Sequence, residues 1–507
     1  MKRYNIFICS ILTILICSNV AAQKITYGVM HNESARETNF EILGKVGPNY
    51  IVFKNIGWRN LIQVFDKDMK ELSNERLKYV PEKIINVDFV TYPDNFLMIY
   101  QYKQNGIVCC DAVKLNAQGE KISEIVRIDT TRVGLSPGSG VYNTKFSQDK
   151  QRILVYKIQS KENELTLVTK QYNSALEMLD STRSLIEFNS RKEAFSPIQI
   201  ANDGAIFFTR EIKKDNRENV SQLEMVTNVF KSNTFRATPI DLQNKFIDDI
   251  QIKIDNLNNN YILNSFYFEE KNSGNIEGLF SVIVNKATDR ILSKFNRLDD
   301  SIRSKINPSA QFRAAFDNLF INNTFVRRDG GYVLIAEDFA SQSINNFNNW
   351  NRWDYLYGSP YGFNNDFYYW NSPYSRYNRF NSFNNTSSTR YYYDNILVLS
   401  FDSSLNLNWN NLILKKQSDD DDDSYLSYGT MNVGAEINFL YIEKEKNSQI
   451  ISNQSISSYG KLYRYPTLKS REAGYQFMPR LSKQVGLREV IMPAVYRGNI
   501  SFAKIEF

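Results

Sequence analysis

The 507-residue chain has little of what most enzyme chemistry draws on: a single histidine, His31, and four cysteines. One histidine excludes zinc hydrolases built on two or three imidazoles, and it leaves no late-chain base for a serine triad. Gly134-Leu135-Ser136-Pro137-Gly138 has the form of a nucleophile elbow. The elbow needs a strand before it and a helix after it, whereas Pro137 and Gly138-Ser139-Gly140 read as a loop. No glycine-rich phosphate loop follows a strand and opens a helix, so nucleotide chemistry is not expected. Glycoside cleavage by two carboxylates stays open, but the sequence singles out no pair among its 55 acids. The expectation is therefore a protein that is not an enzyme.

Other absences set the compartment. Beyond the first residues, no run of eighteen apolar residues occurs, so no membrane-spanning helix is expected in the mature chain. Lys2 and Arg3, the apolar run Ile6 to Cys17, and Val20-Ala21-Ala22 read as a signal peptide over residues 1–22, cleaved before Gln23. Cys17 follows Ile16 and Cys9 follows Ile8, where lipidation wants a small residue. Cys9 and Cys17 leave with that segment. The remaining pair, Cys109-Cys110, would point to opposite faces of a strand, so no disulfide framework is expected. Residues 23–507 carry 59 basic against 55 acidic side chains, too balanced for a nucleic-acid surface.

What the sequence has in abundance is one repeated phrase, an Asp/Asn/Gly turn followed at once by a hydrophobic strand. It occurs at Pro48-Asn49, Asp94-Asn95, Asp149-Lys150, Asp203-Gly204, Asn259-Asn260, Asp329-Gly330 and Ala435-Glu436. Counted from Asn49, the first four steps are 46, 55, 54 and 56 residues, and two longer steps of 70 and 105 follow. Each hydrophobic strand precedes an alternating strand that ends in Asp or Asn, as in Ile62-Gln63-Val64-Phe65-Asp66 and Ala112-Val113-Lys114-Leu115-Asn116. Two hairpin signals per unit make four strands, one blade of a β-propeller. The expected fold is all-β, a single propeller over residues 23–507, with seven blades favoured and eight the rival. The hydrophobic strands are expected nearest the axis. The chain end around Arg497-Gly498-Asn499 either finishes blade seven or pairs with Lys24 to Val29 to close an eighth.

Phe146-Ser147-Gln148-Asp149-Lys150, followed by Ile153-Leu154-Val155-Tyr156, resembles the Phe-Ser-Pro-Asp-Gly hairpin of WD-repeat-like propellers in secreted bacterial proteins. The Gly-His and Trp-Asp signature of true WD repeats is missing. The resemblance implies a fold and a habit of binding, not a reaction.

Two segments break the pattern. Residues 342–393 form an insertion in blade six, with 18 aromatics between Phe347 and Tyr393 interleaved with Asn, Ser, Gly and Pro. The insertion reads either as an Asn/Tyr-rich low-complexity loop packed on its own propeller or as a loop with a task, since long loops are uncommon without one. Trp350, Trp353, Tyr355, Tyr357, Tyr369 and Trp370 are the candidate binding residues, as anchors for a partner protein of the cell envelope or outer membrane. The rival reading is a carbohydrate-binding or carbohydrate-cleaving propeller that stacks sugar rings on these aromatics. Arg352, Arg376, Arg379 and Arg390 among them would suit single strands, but export and weak net charge exclude nucleic acid. The run Asp419 to Asp423 is the other oddity. Its Asp419, Asp421 and Asp423 are the metal candidates, for calcium, although the spacing of an EF-type loop is absent. Otherwise no cofactor is expected. Together these features predict an exported binding or scaffold propeller, periplasmic or outer-membrane-associated, in a Gram-negative-type bacterium.

Overall fold

In a computed structural model of the chain, the described residues are 23–133, 141–161, 163–189, 192–214, 218–271, 275–306, 318–343, 352, 389–420, 422–445, 448–469 and 474–507. Residues 1–22, read above as a signal peptide, and the Gly134 to Gly138 motif lie outside them.

Four of the Asp/Asn/Gly turns reverse through a left-handed residue. Lys150, Gly204, Asn259 and Gly330 have positive φ, so the chain reverses there within a few residues. At Gly204 a Cβ would also meet the Phe230 ring at 2.9 Å and the Gln171 amide oxygen at 3.0 Å, so glycine is required twice over. The second turn of the blade is built by the residue closing the alternating strand. The Asp66, Asn116, Asn173 and Asp402 side-chain oxygens each accept N–H groups two and four residues on, at 2.8–2.9 Å.

These hairpins form eight antiparallel sheets arranged as the blades of one propeller. Seven run consecutively over 38–76, 84–132, 143–187, 193–240, 246–297, 319–420 and 428–469. The eighth is assembled from both chain ends. Gln476–Phe477, Lys483–Gly486, Glu489–Tyr496 and Asn499–Glu506 are completed by Lys24–Tyr27 as outermost strand, in the register Lys24↔Glu506 to Tyr27↔Ala503. The favoured count of seven is thus corrected to its rival, eight: a count of turns in chain order misses a blade whose fourth strand lies some 480 residues away. The long steps are additions to the blades. The helix Asp300–Ile306 sits between blades 5 and 6, and the insertion and an extra strand, Gln417–Asp420, belong to blade 6.

A second correction concerns the axis. The hydrophobic strands are second in each blade, not innermost. Asn49–Ile56 is buried throughout because its alternate residues feed two different interfaces: Ile51 and Phe53 pack toward blade 2, Tyr50 and Val52 toward blade 8. The same holds around the ring, with one apolar cluster at each of the eight blade interfaces. Cys109 and Cys110 are free, buried thiols that fall into different interfaces, as neighbours on a strand must. The innermost strands are more polar and partly exposed, such as Asn143–Phe146 and Lys483–Gly486, and they line an axial channel.

The disc has two unlike ends. Turns joining first to second strands project at one, the turn end. Hairpins joining second to third strands, and the links between blades, lie at the other, the insert end.

Candidate binding face and axial channel

The insertion is rooted at the insert end. Its flanking strands, Tyr332–Ser343 and Thr389–Phe401, are paired to the last rung, Ser343↔Thr389, so the chain departs and returns at one point. Phe339 and Tyr393 pack ring to ring at 4.8 Å and, with Leu426, form a small apolar cluster at this root. Gln417–Asp420 pairs with Arg390 to Tyr393 and widens the sheet there.

Arg352, inside the insertion, is buried between blades 5 and 6. Its Nε donates to the Asp248 carboxylate at 2.6 Å, its Nη1 to the Leu319 carbonyl, and its guanidinium lies 4.1 Å from the Phe320 ring centroid. Arg352 is 5 % and Asp248 2 % exposed, so neither charge has bulk water to fall back on. Glu211, Lys213 and Asp249 share this surrounding. Burial pushes the Glu211 carboxyl up and the Lys213 ammonium down, each partly restored by the other, while Asp249 is pushed up to about 6 by burial.

Trp350, Trp353, Tyr355, Tyr357, Tyr369 and Trp370 lie outside the described residues, as does Asp421. The rest of the acidic run is committed to protein partners. Asp420 binds Arg390 through two oxygens, at 2.6 and 2.9 Å. Asp423 accepts from Arg480 at 2.9 Å and from the Tyr393 hydroxyl at 2.7 Å, and Asp419 lies on the strand that pairs with Tyr391. Arginine side chains offset the charge of Asp420 and Asp423. His31 binds Glu71 through Nε2 at 2.6 Å.

Pattern reading missed the buried charges of the insert end. Lys415 Nζ lies 2.7 Å from the Glu337 carboxylate, which also accepts the Ser427 hydroxyl at 2.6 Å. Lys54 donates to both Glu33 oxygens at 2.9 and 2.8 Å. A lysine directly after an apolar run, as Lys54 is after Tyr50 to Phe53, was the available signal.

The channel was missed as well. Glu41, Asp88, Lys145, Lys253 and Lys483 all stand on innermost strands, of blades 1, 2, 3, 5 and 8. Glu41, Asp88 and Lys145 keep partial exposure, and Lys253 and Lys483 are exposed. Yet protein encloses Glu41 and Asp88 on every side, and burial pushes their carboxyls up to about 8 and about 6.

No known protein family matches the chain, and no curated protein resembles it in sequence. Among solved structures it is similar to prolyl oligopeptidase B from Galerina marginata bound to a 35mer substrate, at 7 % identity and a TM-score of 0.41, covering 92 % of this chain and 56 % of that one. It is also similar to an ulvan lyase of a polysaccharide lyase family, at 10 % identity and a TM-score of 0.38, covering 82 % and 90 %. A third is hydrazine synthase from Kuenenia stuttgartiensis, at 10 % identity and a TM-score of 0.33, covering 61 % and 78 %. The chain spans little more than half the length of the prolyl oligopeptidase chain. Identities this low carry nothing about chemistry.

Proposed function

We propose that this propeller is an exported, non-catalytic binding module of a bacterial cell envelope, and that it holds a partner protein against its insert end through the aromatic insertion. The observation that carries this reading is the buried Arg352–Asp248 pair at 2.6 Å. A loop serving only to connect two strands needs no charged anchor among the blades, because a buried pair gains little over apolar packing. An anchor becomes useful when the loop must be held in place for something else. The aromatic density of the insertion supplies anchors of the type that dominate protein interfaces. The hairpins similar to those of WD-repeat-like propellers, and the leader-like residues 1–22, support the placement in the envelope.

The test is a photo-reactive amino acid at position 370 or 353 in the native host, with residues 353–388 replaced by a short Gly/Ser linker as the control. The expected result is one discrete protein adduct of the envelope fraction, and loss of that partner from co-purification when the linker replaces the insertion while thermal unfolding is unchanged. Adducts with polysaccharide alone would transfer the assignment to the carbohydrate reading. Partner recovery unaffected by the linker would overturn the role of the insertion.

A further inference from the structure

Four residues close the ring: Lys24–Tyr27 is the outermost strand of blade 8, paired with the third strand over the rungs Lys24↔Glu506 to Tyr27↔Ala503. Ile25 and Tyr27 pack against the apolar cluster between blades 7 and 8, and the Tyr27 ring lies 4.4 Å from that of Tyr475. Without this strand, residues 503 to 506 would present an open sheet edge. The outermost strands of the other seven blades are internal to the chain, so no exopeptidase reaches them from an end.

The export reading makes Gln23 the first residue of the mature chain, and this inference rests on that reading. A closing strand that begins at the second residue has almost nothing to lose. Chain ends fray at little cost, and an aminopeptidase starts from the free amine of a frayed end. Removing Gln23 and Lys24 takes the first rung, and removing Ile25 takes an apolar contact with it.

Gln23 is partly exposed and lies outside the ladder, whose first rung is at Lys24. Its α-nitrogen and its side-chain amide belong to the same residue, so they react as partners already held together. The α-nitrogen attacks Cδ, the Nα–Cδ bond forms and the Cδ–Nε2 bond breaks. Nε2 leaves as ammonia with the proton that the amine gives up. The product is a lactam, and neither an oxidant nor a second substrate is consumed.

We propose that Gln23 is a modification site, cyclised to pyroglutamate once residues 1–22 have been removed, and that the lactam caps the strand that closes the ring. The capped end carries no amine, so exopeptidases that require one cannot start on Lys24–Tyr27. The positive charge of that amine disappears with it.

Mass spectrometry of the chain recovered from the envelope fraction of its host tests the modification, with free amines dimethylated before digestion so that later cyclisation is not counted. The expected N-terminal peptide begins at residue 23, carries no dimethyl label on its α-nitrogen, and is lighter by one ammonia than the unmodified sequence. A dimethylated Gln23 would overturn the proposal and leave the export reading standing. A peptide that retains residues 1–22 would overturn both. The capping role is tested with Gln23→Ala, which leaves a free amine at the same place. Exposed to a broad-specificity aminopeptidase, this variant should lose residues 23 to 25 and melt at a lower temperature, while the parent keeps its mass and its melting temperature. Parent first treated with pyroglutamyl aminopeptidase, which bares Lys24, should behave as the variant does. Equal resistance of all three would overturn the cap.

Discussion

The two ends of the disc are held by different forces. At the turn end neighbouring blades are laced by neutral hydrogen bonds from the turns themselves. The Asp149 amide donates to Asn202 Oδ1 at 3.2 Å, the Asn202 amide to Asn256 Oδ1 at 3.1 Å, and Asn256 Nδ2 reaches past blade 4 to Gln148 at 2.9 Å. The ion pairs there, Lys286–Asp203 and Arg327–Asp329, have exposed carboxylates. At the insert end enclosed charges tie the chain together: Lys54–Glu33, Arg352–Asp248 and Arg480–Asp423 join separate segments, and Lys415–Glu337 lies within blade 6. Exposed links are individually weak and replaceable, whereas an enclosed pair is costly to break from one side and tightly specifies where its two segments sit. The end that fixes positions most firmly is the end that carries the insertion.

That contrast can be broken most forcefully at Glu337. Glu337→Ala leaves the Lys415 ammonium buried without its carboxylate and should lower stability by about 3–5 kcal/mol, read by chemical denaturation. Asp248→Ala should cost a similar amount by stranding Arg352, and Asp248→Ala/Arg352→Met should recover most of it; a double variant no better than the single would show that the pair does more than neutralise itself. A smaller loss, about 1–3 kcal/mol, is expected at the turn end for Gly204→Ala, from positive φ and the crowding against Phe230.

Between the ends, the channel should make stability depend on pH. Glu41 is pushed up from 4.5 to about 8, so the folded state holds a proton that the unfolded chain releases; that stabilisation is complete below the ordinary value and fades as pH rises toward 8. Asp88, pushed up to about 6, acts in the same direction over a lower range. Glu41→Gln should therefore raise the melting temperature at pH 8–9 and leave it nearly unchanged at pH 5; an equal shift at both would remove Glu41 from the account. The smallest effect, about 1 kcal/mol, is expected for Asn256→Ala, which removes two exposed links of the lacing.

How much of this was legible in the sequence follows from what kind of contact each part uses. The turns at 49, 95, 150, 204, 260, 330 and 435 were readable because turn chemistry is local, as where Asp149, Asp203, Asp255 and Asp329 accept amides two residues on. Each one opens the second strand of a blade in the structure. The blade number was not, because blade 8 joins Lys24–Tyr27 to Asn499–Glu506 and no local signal spans that distance. The hydrophobic strands were recognised but set one position too close to the axis: a strand packed on both faces reads as a continuous apolar run wherever it lies between two others. The channel charges escaped for the opposite reason. Lys145 and Lys253 sit on short strands of mixed composition, and only the closing of the ring sets them, with Glu41, on the innermost strands.

The pairing of first and last strands also decides how the ring answers to pulling. Lys24 and Glu506 meet at the same end of an antiparallel pair, so tension between the two termini loads the rungs one after another, beginning with that one, instead of all at once. The circle would part there like a zip at low force, and the seven continuous blades would then lose the neighbour that confines them from one side. Tension on a single terminus, with the other left slack, would spare the joint. A ring of this kind tolerates being moored at one end and yields when stretched between two moorings.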